Sequence, residues 1–218
     1  MSTNIYLNED SIEIIEKKLE HTNDKYSKYN CKCIVYGTLI EKPIEVQNEK
    51  SKNEKTTKLE SYDDYLKLNV KSFDKTWIYN IIDHKKETDT IIFEDDNIII
   101  IPDYKWSNDI NELHILGIFK DKNLYSIREL SKDHIDILQK SVDSGKKVIE
   151  EKYNINSDKL LCFFHYHPSV WQLHIHFMNI YNTKSESYSL PRAHLVSSVI
   201  ENLKVNSDYY KIVSIEVL

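Results

Sequence analysis

The sequence predicts an α+β protein built around an antiparallel sheet. Three observations lead there. Apolar runs at 97–101, 113–119, 160–164 and 173–180 are strand-sized and bounded by turn residues. One long stretch, 131–152, carries a helical period instead. The strands follow one another mostly through short turns rather than regular helical crossovers, which favours antiparallel pairing.

Taken in order, residues 10–20 set Ile12, Ile14, Ile15 and Leu19 at helical spacing behind Asp10 or Ser11 as N-cap, and read as a helix. Residues 33–39 read as a strand. The stretch 48–58, NEKSKNEKTTK, has no apolar residue and no period, and reads as a loop or a solvated helix edge. Residues 59–68 fit a short helix. From Thr76 onward the apolar pattern is denser, which divides the chain into a small α+β N-terminal module, 1–72, and a larger domain, 73–218. In the larger part, 90–94 and 97–101 read as strands joined by Asp95-Asp96, with 113–119 a third. Ser131 caps the long helix, whose Ile135, Leu138, Val142, Val148 and Ile149 fall broadly on one face. Residues 193–203 read as a helix and 210–217 as a final strand. No internal repeat is present.

At 218 residues and 40% hydrophobic content, the chain can bury a real core as one large domain or two small ones. Its formal net charge of −6 argues against a non-specific or duplex nucleic-acid binder, yet leaves room for a small anionic ligand held by a few local cations. The most apolar run, 98–101, is far too short for a membrane span. The opening MSTNIYLNEDSIEI is polar and acidic, unlike a signal peptide. Three cysteines, Cys31, Cys33 and Cys162, form an odd set, so reduced thiols and an intracellular location are expected. Cys31 and Cys33 are too close together, and too far from a second ligand pair, for a structural zinc knuckle.

The richest chemistry lies in FFHYHPSVWQLHIHF, residues 163–177, which holds four of the nine histidines. On a strand, side chains alternate, so His174 and His176 share one face while Leu173, Ile175 and Phe177 pack into the core. On a helix, residues two apart would lie about 200° around the axis. The strand therefore makes the two imidazoles a unit. Three readings fit: a half-exposed sheet face that carries polar residues, a metal site, or a nucleophile with its support. A metal site would draw His165, His167, His174 and His176 from two adjacent strands, though the stretch holds no Asp or Glu to activate water or orient a ligand. A nucleophile needs one neutral imidazole aimed at phosphorus and neighbours that fix its tautomer and meet the developing charge. The residues alone leave all three open.

The segment Gln172-Leu173-His174-Ile175-His176-Phe177 resembles the histidine triad motif, with Gln172 where the first His stands. Around it, His165-Tyr166-His167-Pro168-Ser169, Trp77-Ile78-Tyr79-Asn80, Asp103-Tyr104-Lys105-Trp106, Ser126-Ile127-Arg128-Glu129-Leu130, Arg192-Ala193-His194-Leu195 and Ile200-Glu201-Asn202-Leu203 resemble the scavenger mRNA decapping enzymes of that superfamily. The likeness runs in consistent order from Trp77 to the C-terminus. Upstream, only Glu60-Ser61-Tyr62-Asp63-Asp64-Tyr65 and Asn4-Ile5-Tyr6 are similar.

The resemblance implies a histidine-triad fold and hydrolysis of the triphosphate bridge in free 7-methylguanosine cap dinucleotides or short capped RNA. By similarity, His174 is the nucleophile, His176 and His165 contact phosphates, and Gln172 completes the catalytic set. Trp77 stacks on the methylated base and Glu87 accepts its N1 and amine hydrogens. Asp103, Lys105, Ser169, Val170, Trp171 and Arg192 complete the nucleotide contacts. No metal or cofactor is implied. Alternatives are a non-catalytic cap-binding protein, a hydrolase of other dinucleoside polyphosphates, and a zinc hydrolase. The family forms homodimers whose N-terminal domain exchanges strands and closes over the cap, in the cytoplasm or nucleus. Here the N-terminal region is shorter, so the expectation is a dimer formed mainly through the larger domain, with incomplete closure. Val170 and Trp171 stand where tyrosines are usual, and His167 replaces an apolar residue.

Overall fold

The computed structural model describes the strand backbones 12–22, 26–35 and 38–47, together with residues 56–182 and 191–218. The chain divides into two compact units, Met1–Lys55 and Thr56–Leu218. In the first, β1 (Ile12–Thr22), β2 (Tyr26–Val35) and β3 (Thr38–Gln47) form an antiparallel sheet in the order β1-β2-β3. The helix expected over 10–20 is therefore a strand. Two register shifts in β1, between Ile14 and Glu16 and between Leu19 and His21, break its alternation and left a pattern that mimics a helical period. The β-branched Ile12, Ile14 and Ile15 are at home on a pleated strand. The strand expected at 33–39 is the end of one strand and the start of the next, with Ile34 paired to Leu39 and Val35 to Thr38. Most of the loop expected at 48–58 lies outside the described residues.

The second unit opens with β4 (Lys58–Glu60) and α1 (Tyr62–Lys67), where 59–68 had been expected to be helical throughout. A capping box between Ser61 and Asp64 starts the helix only at residue 62. Then come α2 (Thr76–Ile82), β5 (Phe93–Glu94), β6 (Ile98–Pro102), β7 (His114–Phe119), α3 (Ile135–Tyr153), β8 (Leu160–His165) and β9 (His174–Asn179). The chain closes with β10 (Ala193–Leu195), α4 (Val196–Val205), α5 (Tyr209–Ile212) and β11 (Ile215–Val217). Six strands form one wholly antiparallel sheet in the order β10-β8-β9-β7-β6-β5. The predicted α+β class with an antiparallel sheet is thus observed. A separate pair joins β4 to β11, so residues 58–60 associate with the end of the chain rather than with the N-terminal side of a division at 72/73.

Three further expectations are corrected. The strand at 90–94 shrinks to Phe93–Glu94 because Thr88–Thr90 forms a 3-10 turn. The helix at 193–203 begins only at Val196, because Ala193, His194 and Leu195 first take the free edge of β8. Within 210–217, α5 precedes the strand. Ser131 caps as expected, through a 3-10 turn at Lys132–His134 that runs into α3.

Both sheet faces are covered. On one, Ile98 and Ile100 of β6, Ile115 of β7 and Ile175 and Phe177 of β9 share a core with Leu138 and Ile149 of α3. On the other, Ile99, Ile101, Leu116 and Ile118 meet Ile78, Ile81 and Ile82 of α2. The Phe177 ring is wedged between α3 and the sheet. A Cβ on Gly145 would lie within 3.0 Å of three of its carbons, and one on Gly117 would meet it at 3.0 Å from below. On an exposed helix, Gly to Ala would stabilise by about 1 kcal/mol. Gly145→Ala should instead destabilise by about 1–3 kcal/mol through overpacking, measured by denaturant unfolding. A gain in stability would show that α3 can move away from Phe177 at no cost.

Candidate active site

The register of β9 sets the site. His174 pairs with Ile118 and His176 with Leu116 across β7, so both imidazoles stand on the face covered by α2. They are only 7% and 4% exposed, so the half-exposed sheet face does not describe them. A two-lobed cleft opens over them, with Trp77 of the first turn of α2 in its lining. The larger lobe, about 620 Å³, has His174 at its floor, Trp77 and Glu87 on one wall, and Leu116 and Val170 beside them. The smaller, about 300 Å³, is lined by Trp106, Ser107, His114, His165 and Arg192. Asp103, Lys105, Ser169 and His176 border both.

His174 is held in one tautomer. Its Nδ1 lies 2.6 Å from the Gln172 carbonyl oxygen. A carbonyl only accepts, so Nδ1 carries the hydrogen and Nε2 keeps a lone pair. Burial presses the His174 pKa below its ordinary value, against the opposing pull of that carbonyl. His176 is pressed down further, by burial first and then by His174, His165 and His114. Its ring stacks on Phe163 at 5.2 Å and lies 4.0 Å from the His165 ring. Neutral imidazoles with an available lone pair are what nucleophilic attack near neutral pH requires.

The flanking elements hold the walls. Lys75, at the N-cap of α2, buries its ammonium on the carbonyls of Val70, Lys71 and Phe73 at 2.7, 3.2 and 3.0 Å. Trp77 follows on the first turn and donates its indole N–H to Glu87 Oε1 at 2.8 Å. Tyr104 meets the Trp77 ring edge-on at 6.1 Å. Where β6 ends, Asp103 Oδ1 accepts from the Lys105 backbone N–H at 2.8 Å, which turns the exposed Lys105 side chain to the lip of the cleft. Arg192 Nε donates to the His167 carbonyl at 3.2 Å, joining the start of β10 to the loop that carries Ser169.

Residues 76–189 match the family model described as scavenger mRNA decapping enzyme C-term binding. The chain belongs to this family. It is 31% identical over 212 residues to the m7GpppX diphosphatase of Rattus norvegicus, covering 90% of this chain and 63% of that protein. To the m7GpppX diphosphatase of Ascaris suum it is 36% identical over 152 residues, covering 67% of this chain and 50% of that one. The chain thus spans less than two thirds of the length of either relative. Among solved structures, the aprataxin ortholog Hnt3 from Schizosaccharomyces pombe superposes at a TM-score of 0.40 with 18% identity, over 62% of this chain and 75% of that one.

Within this scavenger decapping family member, the cleft brings together ten of the twelve residues singled out from sequence. Gln172 and Trp171 line neither lobe. Gln172 is fully buried, and its amide nitrogen donates to the Phe119 and Asp121 carbonyls, both at 2.8 Å. One imidazole nitrogen carries a single hydrogen and could not make both bonds. The glutamine therefore pins the entry to β9 and presents the carbonyl that anchors His174. Trp171 stacks on Phe73 at 5.8 Å within the core. Among the described residues, no group of three or more His, Cys, Asp or Glu side chains is arranged to hold a metal ion, and no helix is long and apolar enough to cross a membrane.

Sequence reasoning missed His114. Its Nε2 lies 2.8 Å from His176 Nδ1, and its Nδ1 faces Asp103 Oδ2 at 3.7 Å. The available signal was a lone imidazole at the start of the apolar run HILGIF, in phase with Leu116 and Ile118.

Proposed function

We propose that the chain hydrolyses the triphosphate bridge of free 7-methylguanosine cap dinucleotides and short capped RNA, releasing 7-methylguanosine monophosphate. The observation that carries this reading is the His174 tautomer, locked by Gln172 at the floor of a lobe walled by Trp77 and Glu87. Nε2 attacks the phosphorus next to 7-methylguanosine, and the bond to the next phosphate breaks with its electron pair leaving on a nucleoside diphosphate. Water then attacks the same phosphorus and loses a proton to solvent, the P–N electron pair returns to Nε2, and neutral His174 is restored with its hydrogen on Nδ1. His176, His165, Ser169, Lys105 and Arg192 meet the phosphates. The same reading has the chain act as a homodimer inside the cell, associated mainly through the hydrolase, 73–218, with 1–72 as the cap-lid and accessory dimerisation module, whose β4 is tied to the hydrolase by its pairing with β11. Light scattering on the purified chain checks its mass.

Methylation at N7 leaves the purine cationic, so the Trp77 face gains a cation–π attraction that unmethylated guanine lacks. Glu87 gives one lone pair to Trp77, and its carboxylate has about three acceptor positions left for the guanine N1 and amine hydrogens. Trp77→Ala and Glu87→Gln should each weaken discrimination for the methylated over the unmethylated dinucleotide by about 1–3 kcal/mol, read from the two kcat/KM values. Unchanged discrimination in both variants would make these residues structural.

The deciding assay is to incubate the chain with methylated cap dinucleotide in excess chelator and separate the products by chromatography. The expected products are 7-methylguanosine monophosphate and a nucleoside diphosphate. Tight binding without turnover would make the protein a cap binder, and activity that returns only with zinc would make it a metallohydrolase.

A further inference from the structure

A fourth imidazole joins the histidine pair, and the reaction above gives it no role. The register sets His114 opposite Met178 and Leu116 opposite His176, so His114 and His176 stand diagonally on one sheet face. Their nitrogens, Nε2 and Nδ1, are 2.8 Å apart. Behind His114, the Asp103 carboxylate lies 3.7 Å from Nδ1. The row Asp103–His114–His176 ends in the region that borders both lobes.

Two neutral imidazoles can share one hydrogen in either direction. An ionised Asp103 only accepts, so it favours the hydrogen on His114 Nδ1. His114 Nε2 then holds a lone pair, and His176 Nδ1 must donate to it. His176 is left with a bare Nε2, which is buried without a hydrogen-bond partner among the described residues. A bare nitrogen repels a phosphate oxygen. An anion in the cleft therefore makes the pair either gain one proton or reverse both tautomers, and reversal sets a bare His114 Nδ1 against the Asp103 carboxylate 3.7 Å away. The row is built for the first: His176 Nδ1–H already points at an acceptor, with a negative charge behind. Without an anion, burial and the neighbouring imidazoles press both pKa values down, against the upward pull of Asp103 on His114. The groups facing it are His174 of β9, His165 of β8, Asp103 and Lys105 after β6, and Arg192 before β10, and the Glu112 carboxylate in the turn before β7 lines the same lobe.

We propose that His114 is a positioning residue: it holds His176 in one tautomer and, with Asp103 behind it, makes the pair a single proton site that charges when a phosphate-like anion enters. This rests on the phosphate-binding cleft of the proposed function and deepens it.

The test uses the full chain, imidazole 15N spectra, and inorganic sulfate, which stays fully ionised near neutral pH so that any proton comes from solvent. In the anion-free protein, His114 and His176 should both carry hydrogen on Nδ1. A His176 with hydrogen on Nε2 overturns the proposal. Sulfate should move His176 toward the imidazolium position and raise the apparent pKa of the pair. By linkage, sulfate affinity then falls as pH rises through that raised value. Sulfate that fails to bind, or binds with no change in His176, also overturns it. His114→Gln keeps an acceptor near the Nε2 position and should behave like the wild type. His114→Phe keeps a ring without the acceptor, so its sulfate affinity should fall about tenfold to a hundredfold and lose its pH dependence. A His114→Phe protein with wild-type pH dependence overturns the proposal, and if that variant does not fold, the wild-type and Gln spectra decide. Cap turnover is read separately: its absence with these spectra as expected would sink the cap assignment and leave the proton site standing.

Discussion

Replacing His174 by Asn should lower turnover of methylated cap dinucleotide by roughly 10⁴- to 10⁶-fold while the protein stays folded. The substitution is selective for a geometric reason. An asparagine amide N–H can replace Nδ1–H against the Gln172 carbonyl, 2.6 Å away in the wild type, so the anchor survives and only the outer nitrogen is lost. Trp77 and Glu87 are untouched, so quenching of tryptophan fluorescence by the dinucleotide should persist. Single-turnover rates and thermal midpoints measured together make the check. Turnover within about tenfold of wild type would remove His174 as nucleophile.

Arg128→Met should cost about 3–5 kcal/mol of stability, the largest effect expected of any substitution outside the cleft. The Arg128 side chain is fully buried. It donates from Nε to the Tyr166 hydroxyl at 3.0 Å and from Nη1 to the Tyr210 and Val213 carbonyls at 2.7 and 2.8 Å. Nη2 reaches the Glu60 carbonyl at 2.8 Å and its carboxylate at 3.3 Å. That carboxylate also accepts from the Tyr166 hydroxyl and lies 2.6 Å from His167 Nε2. Removing the guanidinium leaves the buried Glu60 carboxylate with only Tyr166 and His167 beside it and several carbonyls without donors. Thermal unfolding should show a fall in Tm of roughly 6–20 °C. Adding Glu60→Gln to Arg128→Met should recover part of it, since the stranded charge is gone. Because Tyr166 leads directly into the Ser169 loop, kcat should fall as well. A loss under about 1 kcal/mol would mean that water or side-chain rearrangement replaces the arginine.

What could be read from sequence followed the distance over which structure is decided. The alternation in 173–177 is unbroken, so the strand, its core residues and the paired histidines were all legible. The β1 strand was not, because its register breaks erase the period that would have announced it. Residues 193–195 were absorbed into a helix because only the exposed edge of β8 makes them a strand. Trp171 and Gln172 sit beside the motif in sequence, yet the turn into β9 directs one to the Phe73 and Tyr65 rings and the other to the end of β7. His114 depends on the register of β7 against β9, sixty residues apart, which no local pattern encodes.

The division of the cleft bears on the order of events in a catalytic cycle. His174 lines only the larger lobe, while Asp103, Lys105, Ser169 and His176 border both. A nucleotidyl group attached to His174 would stay seated against Trp77 and Glu87 while the departing half leaves from the other side. The vacated chamber, with Arg192 and His165 in its wall, would then be where solvent meets the intermediate of the proposed reaction. The first product should therefore be released before the second forms, and an alcohol or nucleoside diphosphate small enough for that chamber should compete with water for the same phosphorus.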